Sequence, residues 1–266
     1  MRIFLYILLI GISTLISCSG SPDPLYPRYT TFPDEKMVAT QEISIDSAFF
    51  RYPYRVAVKD SIAIIMDLHN DSHYFYAFTY PECKPIAPFG KRGEAPGEML
   101  SAEMFQFSAL DSVWTLDANR MLITRWSVSP TDKTVLRKEE IRLDKTLVRS
   151  LDFYRTDSAF LITDYLGDFR YHKVSHSGKP IKNIGKIPTE ISYEQYIHPA
   201  LAQAWRSFTD YNPKNGIYAM ATQLGEALEI YNLKTQTHNV IYGPAGEPQF
   251  IAKGGEGFPT GIKGFV

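Results

Sequence analysis

A chain of 266 residues has room for one large domain or two small ones and can bury a sizeable core. Hydrophobic residues make up 44% and charged residues 21%, a balance that argues against wholesale disorder, and a formal net charge of −1 leaves no basic footprint for nucleic acid. The aromatic share of 14%, with 17 Tyr and 16 Phe, favours strands, where flat side chains pack on a pleated surface.

The amino terminus opens with Arg2 and an apolar run from Ile3 to Ile16. About 14 residues are too few for a membrane span, which takes about 20, but they suit a secretion signal. The run ends in Leu15-Ile16-Ser17-Cys18, which resembles the lipobox of bacterial lipoproteins. That resemblance implies a signal peptide over residues 1–17, cleavage before Cys18, and lipid on Cys18 as the link to a membrane. No second hydrophobic span follows, so the expectation is a protein anchored to a membrane surface. Cys83 then has no partner for an internal disulfide and reads as a half-buried strand-edge cysteine.

Residues 18–37 carry four prolines among small and polar residues, the composition of an extended tether. The segment Gln41 to Asp46 alternates polar and apolar positions like one half-buried strand, and it could close a ring of sheets from its amino-terminal end.

From Pro53 a unit recurs. KDSIAIIMDL at Lys59 to Leu68 returns as LDSVWTLDA at Leu110 to Ala118, as TDSAFLITDY at Thr156 to Tyr165, and more faintly as KNGIYAMATQ at Lys214 to Gln223. Each copy divides into four short strands separated by turns. The joints at Asp60, Asp111, Asp157 and Asn215 fall where a tight turn is required, because Asp and Asn side chains bond their own backbone. They stand 51, 46 and 58 residues apart, a period that fits the blades of a β-propeller. The fold class expected is therefore all-β: a propeller of four-stranded blades over residues 53–100, 101–147, 148–190 and 205–250. A solenoid is the competing architecture, but its repeats are usually shorter.

The repeat, the linker FGKRGEAPGEML at Phe89 to Leu100 and the lipobox together resemble the TolB-like six-bladed β-propeller lipoproteins of Gram-negative envelopes, a group similar to NHL-repeat propellers. The resemblance covers residues 38–266 and implies a propeller held at the cell envelope, at the outer membrane, with no defining catalytic motif. Six blades of about 50 residues need roughly 300 residues, whereas Pro53 to Val266 holds 214. The expectation is about four blades plus the start of a fifth at GIKGFV, an incomplete six-bladed ring, with a closed four-bladed ring as the alternative.

One interval is stretched. Residues 187–208 form an inserted loop whose apolar positions, Ile191, Tyr196, Ala200 and Ala204, allow a short helix that Pro199 should break or bend. Insertions between repeats gather on one face and often carry binding, so Tyr193, Tyr196, His198 and Trp205 are the candidate binding face near the pore. The competing reading has the loop folded down over a blade junction.

Catalytic signatures are sparse. His69 and His73 stand four apart beside Asp67 and Asp71, but across a hairpin turn, without the H-E-x-x-H pattern of a helical zinc site. No G-x-S-x-G elbow and no phosphate-binding G-K-[ST] ending occur. The reading is a non-enzymatic binding module with a protein or glycan partner, no nucleic acid and no cofactor. The alternative is a metal-dependent hydrolase or lactonase-type propeller, whose scattered pore ligands for Ca²⁺ or Zn²⁺ would leave no local motif.

Overall fold

The structure is a computed structural model that describes residues 27–252, apart from 32, 33, 35, 41, 44, 46, 47, 110, 148, 149, 167, 193, 195 and 196, together with residues 259 and 260. Cys18, Tyr193, Tyr196 and the carboxy-terminal GIKGFV lie outside the described residues.

Four four-stranded antiparallel meanders build the molecule. The first blade contains β1 (Pro53–Lys59), β2 (Ile62–Asp67), β3 (His73–Thr79) and β4 (Pro85–Lys91). The second contains β5 (Met104–Ala109), β6 (Ser112–Asp117), β7 (Leu122–Ser129) and β8 (Thr134–Arg142). The third contains β9 (Phe153–Arg155), β10 (Phe160–Thr163), β11 (Tyr171–Val174) and β12 (Pro180–Ile184). The fourth contains β13 (Ser207–Asn212), β14 (Ile217–Thr222), β15 (Ala227–Asn232) and β16 (Thr237–Tyr242). A two-stranded pair follows, β17 (Ile251–Ala252) with β18 (Pro259–Thr260). The four sheets stand in a ring as a four-bladed propeller. Their first strands lie innermost, so β5 touches both β1 and β9.

The recurring Asp at the end of the second strand explains the repeat. Asp67, Asp117 and Asp164 are 0%, 1% and 3% exposed, yet each is satisfied by backbone amides. Asp67 accepts from Arg51 N at 2.7 Å, Tyr52 N at 2.9 Å and His69 N at 3.0 Å. Asp117 accepts from Leu100 N at 2.7 Å and Arg120 N at 3.0 Å, and Asp164 from Leu166 N at 2.7 Å and Phe169 N at 2.9 Å. In the first two blades one carboxylate thus fixes both the following turn and the chain arriving at the blade. In the fourth blade Thr222 takes the position, and its hydroxyl accepts from Ala227 N at 3.1 Å. Carboxylates at these bends do turn chemistry, as their sequence positions imply.

Flat faces pack against flat faces. Ile64, Phe75 and Phe89 of the first blade meet Phe105 and Trp126 of the second; Leu116 and Trp114 of the second meet Phe153 and Phe160 of the third. Between the third and fourth blades the filling is aromatic, with Tyr171 edge-on to Tyr218 and Tyr231. Strand alternation turns the other faces of the first and fourth blades away from these clusters, and there Val56, Val58 and Phe208 are 68%, 47% and 49% exposed. Among the described residues no buried apolar cluster joins the fourth blade to the first.

Two sequence expectations need correction. Glu42, Ile43 and Ile45 form no strand, and Ile43 is 53% exposed because no sheet edge lies against it. The edge of β16 is met instead by Arg28, in a parallel bridge to Tyr242 that uses Tyr29 N and the Pro27 carbonyl. Proline has no N–H to give, and its carbonyl suffices here. Pro199 does not break the inserted helix. It stands in the first turn of α1 (His198–Ala204), where a missing N–H costs nothing and the fixed φ favours the start.

Candidate functional site

One charged residue from each blade converges on the axis. Arg55 lies on β1, Glu103 precedes β5, Asp152 precedes β9 and Arg206 precedes β13. Arg55 Nη2 stands 3.9 Å from Asp152 Oδ2, its guanidinium lies over the rings of Tyr54 and Phe208, and each of the two carboxylates feels both guanidinium groups. Acid and base therefore meet across the ring, not within a blade.

Asp152 is anchored by Thr209, whose hydroxyl donates at 2.7 Å, and by Phe153 N at 3.0 Å. Burial pushes its carboxyl up to about 6, against the opposing pull of Arg55, the two hydrogen bonds and Arg206. Burial likewise raises Glu103, with Asp117 adding to the effect and Arg206 and Arg55 working against it. Two carboxyls raised by burial beside two cations are the kind of perturbed cluster that marks functional sites. Nearby, the Tyr154 hydroxyl donates to Asp210 Oδ1 at 2.5 Å and is raised by burial and by that bond.

The innermost strands also carry unspent donors. Arg55 Nε, Gln106 Nε2 and Arg155 Nε are buried and have no acceptor among the described residues. Buried donors are normally paired, so these three are open to an acceptor that the described residues do not supply. Among the described residues no three His, Cys, Asp or Glu side chains lie together in a way that could hold a metal ion. At the axis the two arginines beside the acids make a donor set suited to a hydrogen-bonding or anionic ligand. His69 stacks on Tyr52 at 5.0 Å and His73 Nδ1 pairs with Ser72 Oγ at 3.1 Å, so these two histidines serve their turn.

The inserted loop is placed differently from the sequence expectation. His198 begins α1, partly exposed, with Nδ1 3.3 Å from Asp168 Oδ1. Trp205 ends the helix at 0% exposure, packed with Leu201, Ala202, Ala204 and Tyr242. It cannot take part in a binding face. A large apolar ring gains most by burial, and the alanines of α1 leave room for it, so α1 and Trp205 pack against Ala227, Val240 and Tyr242 of the fourth blade. The axial residues carried a weak signal: a charged residue stands at or near the start of the first strand of each repeat, in PYRVAV, AEMFQF, LDFYR and WRSFT.

The sequence model of the TolB-like 6-blade propeller-like family matches residues 31–266. The chain belongs to this family. Solved structures similar to this TolB-like chain include a candidate exported protein from Bacteroides fragilis, at 11% identity and TM-score 0.48, covering 81% of this chain and 79% of that one. Another is a catalytically inactive virginiamycin B lyase from Staphylococcus aureus with quinupristin, at 15% identity and TM-score 0.49, covering 80% of this chain and 64% of that one. A streptogramin B lyase structure is similar at 14% identity and TM-score 0.48, covering 77% and 60%. The TolB-like chain thus spans less than two thirds of the length of either lyase. No curated protein matches it.

Proposed function

We propose that this TolB-like propeller is an exported binding module, lipid-anchored through Cys18 at the outer membrane of a Gram-negative bacterium, and that a protein or glycan partner docks on its axial face. The observation that carries the reading is the axial quartet of Arg55, Glu103, Asp152 and Arg206, with unpaired buried donors on the strands around it. A ligand rich in oxygen acceptors, such as a carboxylate-bearing peptide or a glycan, satisfies those donors. The Pro-rich tether gives the ring reach from the membrane.

The test is a panel of acidic peptides and oligosaccharides titrated against the wild type and the variants R55M and R206M. Ligands that bind the wild type are expected to bind each variant about tenfold more weakly; equal affinity removes the axis as the docking face. Anchoring is tested separately by fractionation, where Cys18→Ser should move the protein from the membrane to the soluble fraction. A divalent ion retained at one per chain in purified protein, lost together with hydrolytic activity on chelation, would favour the hydrolase reading instead.

A further inference from the structure

A second concavity lies away from the axial quartet. A cleft of about 470 Å³ opens between the third and fourth blades, at the β9–β10 and β15–β16 turns, which is the far end of the inner strands from Asp152 and Arg206. Its size is that of a small-molecule site. One part of the wall is apolar and aromatic, from Leu161, Tyr171, Ile184, Tyr211 and Tyr231, and the rest is polar, with Thr156, Ser158, Asn232 and Thr237 among it.

The charge in this cleft is unbalanced. Three lysines line it, Lys173, Lys182 and Lys234, against one carboxylate, Asp157. Lys173 and Lys182 are directly opposed on neighbouring strands, β11 and β12, an arrangement that repels. Neither has a carboxylate within 4.0 Å among the described residues, in contrast to Lys91, which pairs with Glu98 at 2.7 Å, and Lys179, which pairs with Asp144 at 3.0 Å; what sets the cleft pair apart is that they stand opposite one another at its wall. Among the described residues Lys234 Nζ makes one bond, to the Lys214 carbonyl at 2.9 Å, which holds the ammonium at the rim.

An apolar stretch of wall beside uncompensated ammonium groups has a definite complement. We infer that this cleft is a binding site for a small anion with an aromatic or apolar body, its acidic group held by Lys173 and Lys182 and its body set against Tyr211 and Leu161. This site is independent of the axial face, and the two can fail separately.

The experiment is calorimetric titration of the full chain with naphthalene-2-sulfonate, 2-naphthoate and 1-naphthyl phosphate, which distinguishes the acidic group. Neutral 2-naphthalenemethanol and inorganic phosphate serve as the two halves of the ligand. At least one of the three naphthyl anions is expected to bind at one per chain, more weakly as salt rises. The double variant K173Q/K182Q should weaken it about tenfold while R55M leaves it unchanged. The same double variant should melt no lower than the wild type, because it relieves like-charge repulsion, and K234Q offers a milder rim variant. Absence of binding by all three anions, equal binding by the neutral alcohol, equal binding by phosphate alone, or affinity untouched in K173Q/K182Q would each overturn the assignment.

Discussion

Arg170 Nε donates to Glu229 Oε1 at 2.7 Å with the two side chains 1% and 0% exposed, a buried ion pair that joins the third blade to the fourth. Both ends are completed: Arg170 Nη2 donates to the Trp205 carbonyl at 2.9 Å and to Ser207 Oγ at 2.7 Å, and the Tyr231 hydroxyl donates to Glu229 Oε2 at 2.9 Å. Burial alone would neutralise Glu229, but Arg170 and His238 hold its carboxyl below the usual range. Removing one partner strands the other. Arg170→Met is expected to cost about 3–5 kcal/mol in urea denaturation, and R170M/E229M much less than the sum of the single changes. Because the folded carboxyl is depressed, this stabilisation is present above the unfolded value and is lost as pH falls through the folded one.

Gly178 sits at φ +81, and a Cβ there would lie 2.1 Å from the backbone carbonyl oxygen of Arg142. Its own carbonyl accepts from Asp144 N at 2.9 Å, so it stitches the third blade to the second. Neither neighbour is the loose end of a side chain. Gly178→Ala should cost at least about 2 kcal/mol, read as a lower melting temperature with unchanged strand content by circular dichroism.

Trp205 marks the difference between a binding loop and a packed cover. Buried as it is with Leu201 and Tyr242, Trp205→Ala should lose about 3–5 kcal/mol of stability. A surface binding residue would show almost no loss, and urea denaturation separates the two outcomes.

Ile64 and Val56 lie on opposite faces of the first blade, one 0% and the other 68% exposed. Ile64→Ala is expected to cost about 2–5 kcal/mol and Val56→Ala under about 1 kcal/mol in the same assay. Comparable losses would mean that both faces are covered.

The blades were legible because their signals are local. The apolar run after the turn at Asp60 marks the second strand of the first blade, observed at Ile62–Asp67. Local pattern failed at Glu42, Ile43 and Ile45, where alternation describes a strand only if an edge waits for it, and that edge depends on distant chain. Trp205 misled for a related reason, since an aromatic residue in an inserted loop looks the same whether it faces solvent or core. The axial quartet needs the ring itself. Arg55 and Asp152 are separated by almost a hundred positions in the sequence, and only closure around an axis brings them to 3.9 Å.

That convergence is most directly tested by titrating the Asp152 carboxyl by carbon NMR in the wild type and in Arg55→Met. Burial places its folded value at about 6, above the ordinary 3.8, so the folded state holds the proton more tightly than the unfolded chain. The resulting stabilisation, about 3 kcal/mol at full protonation, is present below the unfolded value and is lost as pH rises through the folded one. Asp152→Asn should lack that pH dependence. The expected midpoint is about 6 and moves higher in Arg55→Met, because a guanidinium across the axis no longer opposes burial. A midpoint at the ordinary carboxylate value, unmoved by the loss of Arg55, would contradict the axial site.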